Sequence, residues 1–255
     1  MKFSHRLIER LRKATTVVTL TGAGISAASG VPTFRGKDGL WNKFNPRELA
    51  NVEAFLRNPD LVWEWYSWRR NLIRNVQPNP GHYALVELEK LLPDFWVVTQ
   101  NVDNLHQTAG TQKIIELHGN ILRNRCIDCN EYVTDAYLME YERKAGKTVP
   151  RCPHCRGLIR PDVVWFGEFL PPEAIQKAQQ LAYRAEVYFS VGTSATVEPA
   201  ASLPLMARNN GAYVVEINPE ETPLTDAADE SVRAGADEAL PELVEMLKQA
   251  RSSSQ

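Results

Sequence analysis

The stretch TTVVTLTGAGISAASG (residues 15–30) joins a short apolar run to a turn of small residues. TTVVTL (15–20) is a β-branched apolar run of the kind that forms a buried strand in a parallel sheet. GAGISA (22–27) follows directly and fits the pattern G-x-G-x-x-G/A, in which glycines let the backbone approach a pyrophosphate at a helix start. Together they predict a nucleotide-binding turn after the first strand, although turns of small residues after a strand are also common without a ligand.

Three further apolar runs have the same character: FWVVTQ (95–100), VYFSVG (187–192) and AYVVEIN (212–218). Helical patterns lie between them, at HYALVELEKLL (82–92), PEAIQKAQQLAYRA (172–185) and LPLMARNNG (203–211). Strands that alternate with helices predict an α/β fold with a Rossmann-like, doubly wound parallel sheet. Ligands bind such sheets at the carboxyl ends of the strands.

All four cysteines lie in two C-x-x-C pairs, a spacing close to that of zinc ribbons. Four thiolates close a tetrahedron around zinc and leave no open position for water, so we expect one structural zinc ion. The predicted ligands are Cys126, Cys129, Cys152 and Cys155. His154 lies inside the second pair and is an alternative ligand.

Two segments interrupt the alternation of strands and helices. Residues 40–80 are aromatic-rich and helical in pattern, and residues 120–159 carry the cysteines. We expect both to be insertions, a helical module and a small zinc-binding lobe that together form the small domain. The Rossmann-like domain is then expected at 1–39, 81–119 and 160–245, with a flexible tail at 246–255.

The composition is that of a globular protein with a large core. The chain has 255 residues, 44% of them hydrophobic, and a net charge of -2, so no direct nucleic-acid binding is expected. No apolar run approaches the roughly 20 residues of a membrane span, and MKFSHRLIERLRKA (1–14) predicts a charged amphipathic helix rather than a signal peptide. We therefore expect a cytoplasmic protein with no membrane partner.

Polar residues cluster after the second predicted strand. TQNVDNLH (99–106) places amide, carboxylate and imidazole groups at the carboxyl end of that strand, more than one helix cap requires. ELHGN (116–120) follows, and His118 is a candidate general base because its pKa is ordinarily near neutrality. The alternative is that His118 is a core residue and that the polar groups cap a helix.

Several short motifs follow one another along the chain. They are GAGIS (22–26), Phe34–Arg35, QNVD (100–103), HG (118–119), the two cysteine pairs, FGE (166–168), GTS (192–194) and IN (217–218). From about residue 15 to 240 the sequence in this way resembles the sirtuins, NAD-dependent protein lysine deacylases. One departure is Val102, where many members have isoleucine.

The resemblance implies that NAD lies in a cleft between the two lobes and is consumed as a co-substrate. The acyl oxygen of an acylated lysine peptide or protein would attack the ribose carbon that loses nicotinamide, while His118 takes a proton from a ribose hydroxyl. The products would be free lysine, nicotinamide and O-acyl-ADP-ribose. His118 and Asn101 are the catalytic residues that the resemblance implies.

The resemblance also implies a set of binding residues. For NAD these are Gly22, Ala23, Gly24, Ala27, Thr33, Phe34, Arg35, Trp41, Gln100, Asn101, Val102, Asp103, His118, Gly192, Thr193, Ser194, Asn218 and Ala236. For the acylated substrate they are Tyr66, Arg69, Val164, Phe166, Gly167 and Glu168. VVWFGE (163–168) is also an apolar stretch whose exposed edge could pair with a peptide as an added strand, or could be an ordinary linker strand.

The stretch WEWYSWRR (63–70) bears on the acyl group. We expect a helix whose apolar face carries Leu61, Trp65, Trp68 and Leu72. Tyr66 and Arg69 then share another face, and Tyr-x-x-Arg resembles the pair found in class III bacterial sirtuins, which remove succinyl and malonyl groups. Ala50 matches a small residue of that acyl pocket. The alternative is that Tyr66 and Arg69 form a pair on the helix surface.

Three other functions are considered. A zinc-containing dehydrogenase would need further zinc ligands and an acidic residue about twenty positions after the glycine motif, where this chain has WNKFN (41–45). A non-enzymatic module that binds acyl-lysine or NAD, and mono-ADP-ribosyl transfer to proteins, are the other two. Nicotinamide release that depends on an acyl-lysine peptide would separate all three from a deacylase.

Overall fold

The structure is a computed structural model that describes residues 2–34, 39–146 and 148–252, apart from the side chains of residues 41 and 145. Its strands, in chain order, are β1 (Thr16–Thr21), β2 (Asp94–Thr99), β3 (Ile114–Glu116), β4 (Gly119–Cys126), β5 (Tyr132–Val133), β6 (Ile159–Val163), β7 (Val187–Val191), β8 (Tyr213–Ile217) and β9 (Glu230–Val232). Its α-helices are α1 (His5–Lys13), α2 (Pro46–Leu49), α3 (Val52–Arg57), α4 (Pro59–Arg74), α5 (Pro80–Leu91), α6 (Leu105–Ala109), α7 (Asp135–Ala145), α8 (Pro172–Arg184), α9 (Leu203–Asn209) and α10 (Ala236–Ser252).

Six strands form a parallel sheet in the order β3-β2-β1-β7-β8-β9. Side chains of β1 alternate between its two faces, with Val17 in one apolar core and Val18 and Leu20 in another. The first core is covered by α1, α5 and α10, and the second by α8 and α9. The predicted α/β fold with a doubly wound parallel sheet is thus confirmed.

The strand register brings four strand ends into one row. Thr21 at the end of β1 pairs with Thr99 of β2 on one side and with Val191 of β7 on the other, and Val191 pairs with Ile217 of β8. The loops that begin at Gly22, Gln100, Gly192 and Asn218 therefore start side by side. This is the edge at which a parallel sheet binds its ligands.

A second, antiparallel sheet has the order β5-β4-β6 and carries the cysteine pairs at its end. Its residues share a third apolar core with the helical module, since Ala50, Phe55 and Trp63 pack in the same cluster as Ile121 and Ile159. The two inserted segments are thus packed against each other.

None of the described helices has the length and apolar composition that crossing a bilayer would take.

Two details differ from the sequence-based expectations. The residues after β1 form a 3₁₀ helix, Ala23–Ser29, which ends at Gly30 in a left-handed conformation, instead of the helix start that the glycine pattern indicates. Helix α10 continues to Ser252, so the flexible tail expected from residue 246 is wrong up to that position. Residues 253–255 lie outside the described part of the chain.

The predicted apolar face of α4 is confirmed for Trp65 and Leu72, which pack in the third core, and wrong for its other two residues. Leu61 and Trp68 are 45% and 44% exposed, whereas Tyr66 and Arg69 are buried. The buried face is shifted because the helix packs on both its own module and β4, which covers Trp63 and Arg70. Helical periodicity predicts that one face is buried, but the neighbouring elements decide which one.

The first loop and the loop after β7 are in backbone contact. Gly22 N donates to Val191 O (3.0 Å) and Gly24 N donates to Gly192 O (2.8 Å). A Cβ on Gly192, whose φ is +59°, would lie 2.5 Å from Ile25 N and 2.7 Å from the carbonyl carbon of Gly24. Any side chain at position 192 would therefore push the two loops apart.

We predict that Gly192→Ala destabilises the protein more than Gly211→Ala. Both glycines have positive φ, so both variants should lose about 1–2 kcal/mol from backbone strain. Gly211 has open space around a Cβ, whereas Gly192 has none, which adds about 1–3 kcal/mol of steric strain. Urea unfolding of both variants measures the difference, and equal losses would contradict the role given to the backbone contact.

Candidate active site

The carboxyl ends of four sheet strands border a cavity of about 840 Å³. Its walls also include residues of the helical module and of the segment after β6, so it lies between the large sheet and the third core. The predicted residues that line it are Gly22, Ala23, Gly24, Ala27, Thr33, Phe34, Tyr66, Arg69, Gln100, Asn101, Val102, His118, Val164, Phe166, Gly167, Glu168, Gly192, Thr193, Ser194, Asn218 and Ala236.

One predicted residue is placed differently, and two other predictions fall outside what the structure describes. Asp103 is buried outside the cavity lining, where it accepts hydrogen bonds from Ser26 Oγ (2.7 Å) and Leu105 N (3.0 Å). Burial raises the pKa of Asp103. Arg35 lies outside the described residues, as does the side chain of Trp41.

Other lining residues were not predicted from the sequence. They include Thr196, Val197 and Glu198 after β7, residues 219–223 after β8, and Gly235 and Asp237 beside the start of α10. The first two groups could have been predicted from the sequence, because both directly follow predicted strands and so lie at the carboxyl edge of the sheet. Ala50, which was expected in the acyl pocket, also lines the cavity.

Side-chain amides tie the strand-end loops to one another. Gln100 Nε2 donates to Thr193 Oγ1 (2.9 Å), and Asn218 Nδ2 donates to Thr193 O (2.8 Å). Asn101 Nδ2 donates to Gly22 O (3.0 Å) and lies 3.2 Å from Ser26 Oγ. These bonds fix the polar end of the cavity before any ligand enters, which is the preorganisation that a binding site needs.

His118 lies between the two sheets, after β3 and before β4. Its Nδ1 is 2.9 Å from Gln100 O, and a carbonyl oxygen can only accept, so Nδ1 carries the hydrogen in the neutral ring. The lone pair is then on Nε2. Burial lowers the pKa of His118, and the hydrogen bond to Gln100 opposes the shift. The ring is therefore neutral near pH 7 and can accept a proton at Nε2.

Tyr66 and Arg69 lie at the end of the cavity formed by the helical module, together with Ala50. They are 3% and 7% exposed, so the interpretation as a pair on the helix surface is wrong. The Arg69 guanidinium lies 4.9 Å from the ring centroids of Phe34 and Trp65. Burial lowers the pKa of Arg69, while Tyr66 and Asp103 oppose that change.

The Asp103 carboxylate acts electrostatically on Arg69 but does not form a direct ion pair with it. Within the described part of the chain, no oxygen accepts a hydrogen bond from its guanidinium and no carboxylate forms an ion pair with it. Arg70 differs, since it donates to Asn124 Oδ1 (3.0 Å) and Ser67 Oγ (2.7 Å) and stacks on Trp63. A buried cation that lines a cavity without a directly paired anion is suited to an anionic ligand.

The segment 163–168 is not an open strand edge. β6 ends at Val163, and residues 166–168 form a turn with Gly167 at φ +88°. Val164 N donates to His118 O (2.9 Å) and Phe166 N donates to Ala50 O (2.9 Å), so those amides are already bonded within the chain. The amides of Val164 and Phe166 are therefore not open to a peptide, although the side chains of this segment still line the cavity.

The four cysteines form the predicted metal cluster. Their Sγ atoms all lie within 4.8 Å of one another, and three of the separations are 3.4, 3.5 and 3.7 Å. Zinc–sulfur bonds of about 2.3 Å in a tetrahedron give S···S separations of about 3.8 Å, so the cluster fits zinc. The amide of Asp128 also donates to Cys126 Sγ (3.4 Å). The exposed His154 does not belong to this group.

Comparison with known proteins identifies one family. The model of the Sir2 family matches residues 22–199. A protein of Aquifex aeolicus named NAD-dependent protein deacylase is 54% identical over 233 residues, which cover 91% of this chain and 95% of that protein. A protein of Pyrococcus abyssi with the same name is 52% identical over 236 residues, covering 92% and 94%.

Solved structures give the same result. A complex of a Sir2 homologue with NAD superposes with a TM-score of 0.87 at 45% identity, covering 97% of this chain and 95% of that one. A Sir2 complex with a p53 peptide and NAD⁺ has a TM-score of 0.85 at 34% identity, covering 94% and 97%.

We predict that the zinc ion is structural. Cys152→Ala should lose the metal and unfold or aggregate the three-stranded sheet, because zinc binding there contributes to the free energy of folding. His154→Ala is the matched control and should keep one zinc ion per chain and an unchanged unfolding temperature. Metal analysis and thermal unfolding measure both. Zinc that a chelator removes without lowering the unfolding temperature would contradict a structural role.

Proposed function

Since the chain belongs to the Sir2 family, we propose that it works as an NAD-dependent protein lysine deacylase whose acyl pocket is built for acidic groups such as succinyl and malonyl. The deacylase activity and the consumption of NAD follow from the family. Acidic-acyl selection is our own extension, and the observation that carries it is the buried Arg69 guanidinium, which lines the cavity beside Tyr66 without an anionic partner among the described residues.

We propose that NAD occupies the row of strand ends. The cavity volume of about 840 Å³ falls within the usual range for a ligand site, about 300–1,000 Å³. Gly22, Gly24 and Gly192 line its polar wall without side chains, which lets a ligand approach the backbone closely. Thr193 and Asn218 supply hydroxyl and amide groups suited to a ribose. When bound, NAD supplies an electrophilic ribose carbon and ribose hydroxyls. The side-chain roles given to these residues are part of the proposal.

His118 is the proposed general base. Its Nδ1–H is fixed on Gln100 O, which leaves Nε2 able to take a proton from a hydroxyl in the cavity. The lowered pKa keeps the ring unprotonated at neutral pH, as a base requires. Asn101, through its bonds to the first loop, holds the wall against which the reacting groups lie.

We also propose that residues 40–80 and 120–159 act together as the small domain that closes one side of this cleft. Their shared apolar core supports this, since it joins α4 to β4 and β6. Sheltering the reaction from water is useful where an electrophilic sugar carbon must meet an acyl oxygen rather than solvent. The substrate is an acylated lysine side chain of a peptide or protein. A cytoplasmic location fits the four cysteines, because thiols in a reducing compartment are available to bind a metal and do not form disulfides.

Arg69 is held in a position to select the acyl group. Phe34, Trp65 and Tyr66 surround the guanidinium, with ring centroids 4.9, 4.9 and 5.7 Å away. A carboxylate in an apolar pocket is costly unless paired, and a guanidinium fork supplies directional donors for it. Ala50 leaves space at the same end of the cavity. An acetyl group has no carboxylate, so it would occupy this end of the cavity without pairing with the Arg69 guanidinium.

We expect His118→Ala to lower kcat by about 100-fold or more while the protein stays folded. The neutral ring is the active form, so wild-type kcat/KM should be constant near neutral pH. It should fall only as the pH drops below the ordinary histidine value of about 6.5, because burial lowers the pKa of His118. Nicotinamide release from an acetyl peptide measures both. His5→Ala, at an exposed position on α1, is the control, and near-normal turnover by folded His118→Ala would refute the assignment.

We expect Arg69→Met to lower kcat/KM for a succinyl peptide by about 30-fold or more, since loss of one partner of a buried charge pair costs on the order of 2–5 kcal/mol. Activity on the matching acetyl peptide should be kept or increased. Mass spectrometry of succinyl, malonyl and acetyl peptides with and without NAD measures the change.

Arg74→Met is the matched control for this experiment. Arg74 lies on the same helix, is partly exposed and pairs with Asp135 at 3.2 Å, so its loss should leave acyl selection unchanged. Equal losses on both peptides in Arg69→Met, or a wild-type protein that does not desuccinylate, would show that the chain is a deacetylase without acidic-acyl selection.

A further inference from the structure

The Tyr66 hydroxyl is bonded to a residue from a different part of the chain. Trp165 Nε1 lies 2.9 Å from Tyr66 Oη, and both side chains are buried. An indole nitrogen can only donate, so the direction of this hydrogen bond is certain: Trp165 donates and the phenol oxygen accepts.

The direction of that bond determines what the phenol can do. Tyr66 has a single hydroxyl hydrogen, and it must point away from the indole hydrogen that approaches the oxygen. No described residue accepts it. Burial raises the pKa of Tyr66, which keeps the hydroxyl protonated. The hydrogen is therefore available to an acceptor in the cavity that Tyr66 and Arg69 line.

We propose that Trp165 is a positioning residue for acyl selection, because its indole N–H fixes the Tyr66 hydroxyl as a hydrogen-bond donor toward the acyl end of the cavity. A carboxylate can only accept hydrogen bonds, so a phenol fixed as a donor favours it and a phenol free to present its oxygen does not. This inference rests on the proposed acidic-acyl function and names a residue that acts through Tyr66.

The indole is itself held rigidly on its other side. The Arg160 guanidinium carbon lies 3.6 Å from the centroid of the Trp165 ring, and Phe55 packs 5.2 Å away. Glu168 accepts hydrogen bonds from Arg160 Nη1 (2.5 Å), Arg160 Nη2 (2.8 Å) and the Trp165 amide (2.8 Å). The indole cannot turn away from Tyr66 without breaking this arrangement.

The same contacts reassign Glu168, which the sequence placed among the substrate-binding residues. Both of its carboxylate oxygens accept hydrogen bonds from Arg160 or Trp165, so its charge is paired within the chain. Glu168 thus helps to hold Arg160 and Trp165 in place, and Trp165 in turn contacts Tyr66. A chain of contacts therefore runs from Glu168 through Arg160 and Trp165 to Tyr66.

The test is Trp165→Phe, which keeps a ring in the core and removes the N–H. We expect kcat/KM for a succinyl peptide to fall about tenfold, because the Tyr66 hydroxyl is no longer fixed as a donor to the succinyl carboxylate. The matched acetyl peptide has no carboxylate, so its kcat/KM should change less than about twofold. Trp63→Phe is the matched control. It removes an indole from the same apolar core, at a residue that is not bonded to Tyr66, and should leave the succinyl-to-acetyl ratio unchanged.

A double-mutant cycle separates positioning from general damage to the core. In a Tyr66→Phe background there is no hydroxyl to orient, so Trp165→Phe should cause no further change in the succinyl-to-acetyl ratio. Equal losses on both peptides, or losses that add in the double variant, would overturn the proposal and leave Trp165 as a packing residue.

Two further measurements cover a variant that does not fold and separate this proposal from the proposed acyl function. If Trp165→Phe does not fold, site-specific incorporation of 3-benzothienylalanine at position 165 replaces only the N–H by sulfur, and the same loss of succinyl selectivity is expected. A wild-type protein that fails to desuccinylate would refute the proposed acyl function itself. A wild-type protein that desuccinylates and a Trp165→Phe variant with unchanged selectivity would refute only the role of Trp165.

Discussion

The close contact between the first loop and the loop after β7 is the constraint on which the site depends. Gly24 N donates to Gly192 O, and ideal Cβ positions on either glycine would lie within 3 Å of the other loop's backbone. Without side chains at these positions, the ends of neighbouring parallel strands can lie side by side. The residues that follow, Gln100, Thr193 and Asn218, then reach one another and enclose the polar end of the cavity.

The other end of the cavity depends on the third apolar core. This core joins two segments that are far apart in sequence, and the zinc cluster lies at its border, with Cys126 and Cys152 among the buried residues. Because the core fixes α4 against β6 and the residues after it, Tyr66 meets Trp165. Buried polar groups need partners, and here Arg69 has aromatic faces and a cavity, while Tyr66 has an indole donor.

The sequence predicted most of the sheet and much of the site. β1, β2, β7 and β8 lie within one residue of the apolar runs, since strands buried in a parallel sheet are uniformly apolar and short. The site residues after them were predictable because ligand contacts gather at the carboxyl ends of such strands. Predictions failed where local pattern was not enough. Periodicity gave only part of the buried face of α4, and the run at 163–168 did not reveal that its amides bond to residues 50 and 118.

By itself the sequence determined the α/β fold, the four metal ligands, the candidate base His118 and the pairing of Tyr66 with Arg69 on one helix, because each depends on composition or spacing within a short segment. Only the tertiary structure decided that Asp103 lies outside the cavity lining, that Glu168 is held by Arg160, and that Trp165 donates to Tyr66. The reason is physical. Tyr66 and Trp165 are 99 positions apart in sequence, and how whole elements pack decides that they meet, which no local pattern records.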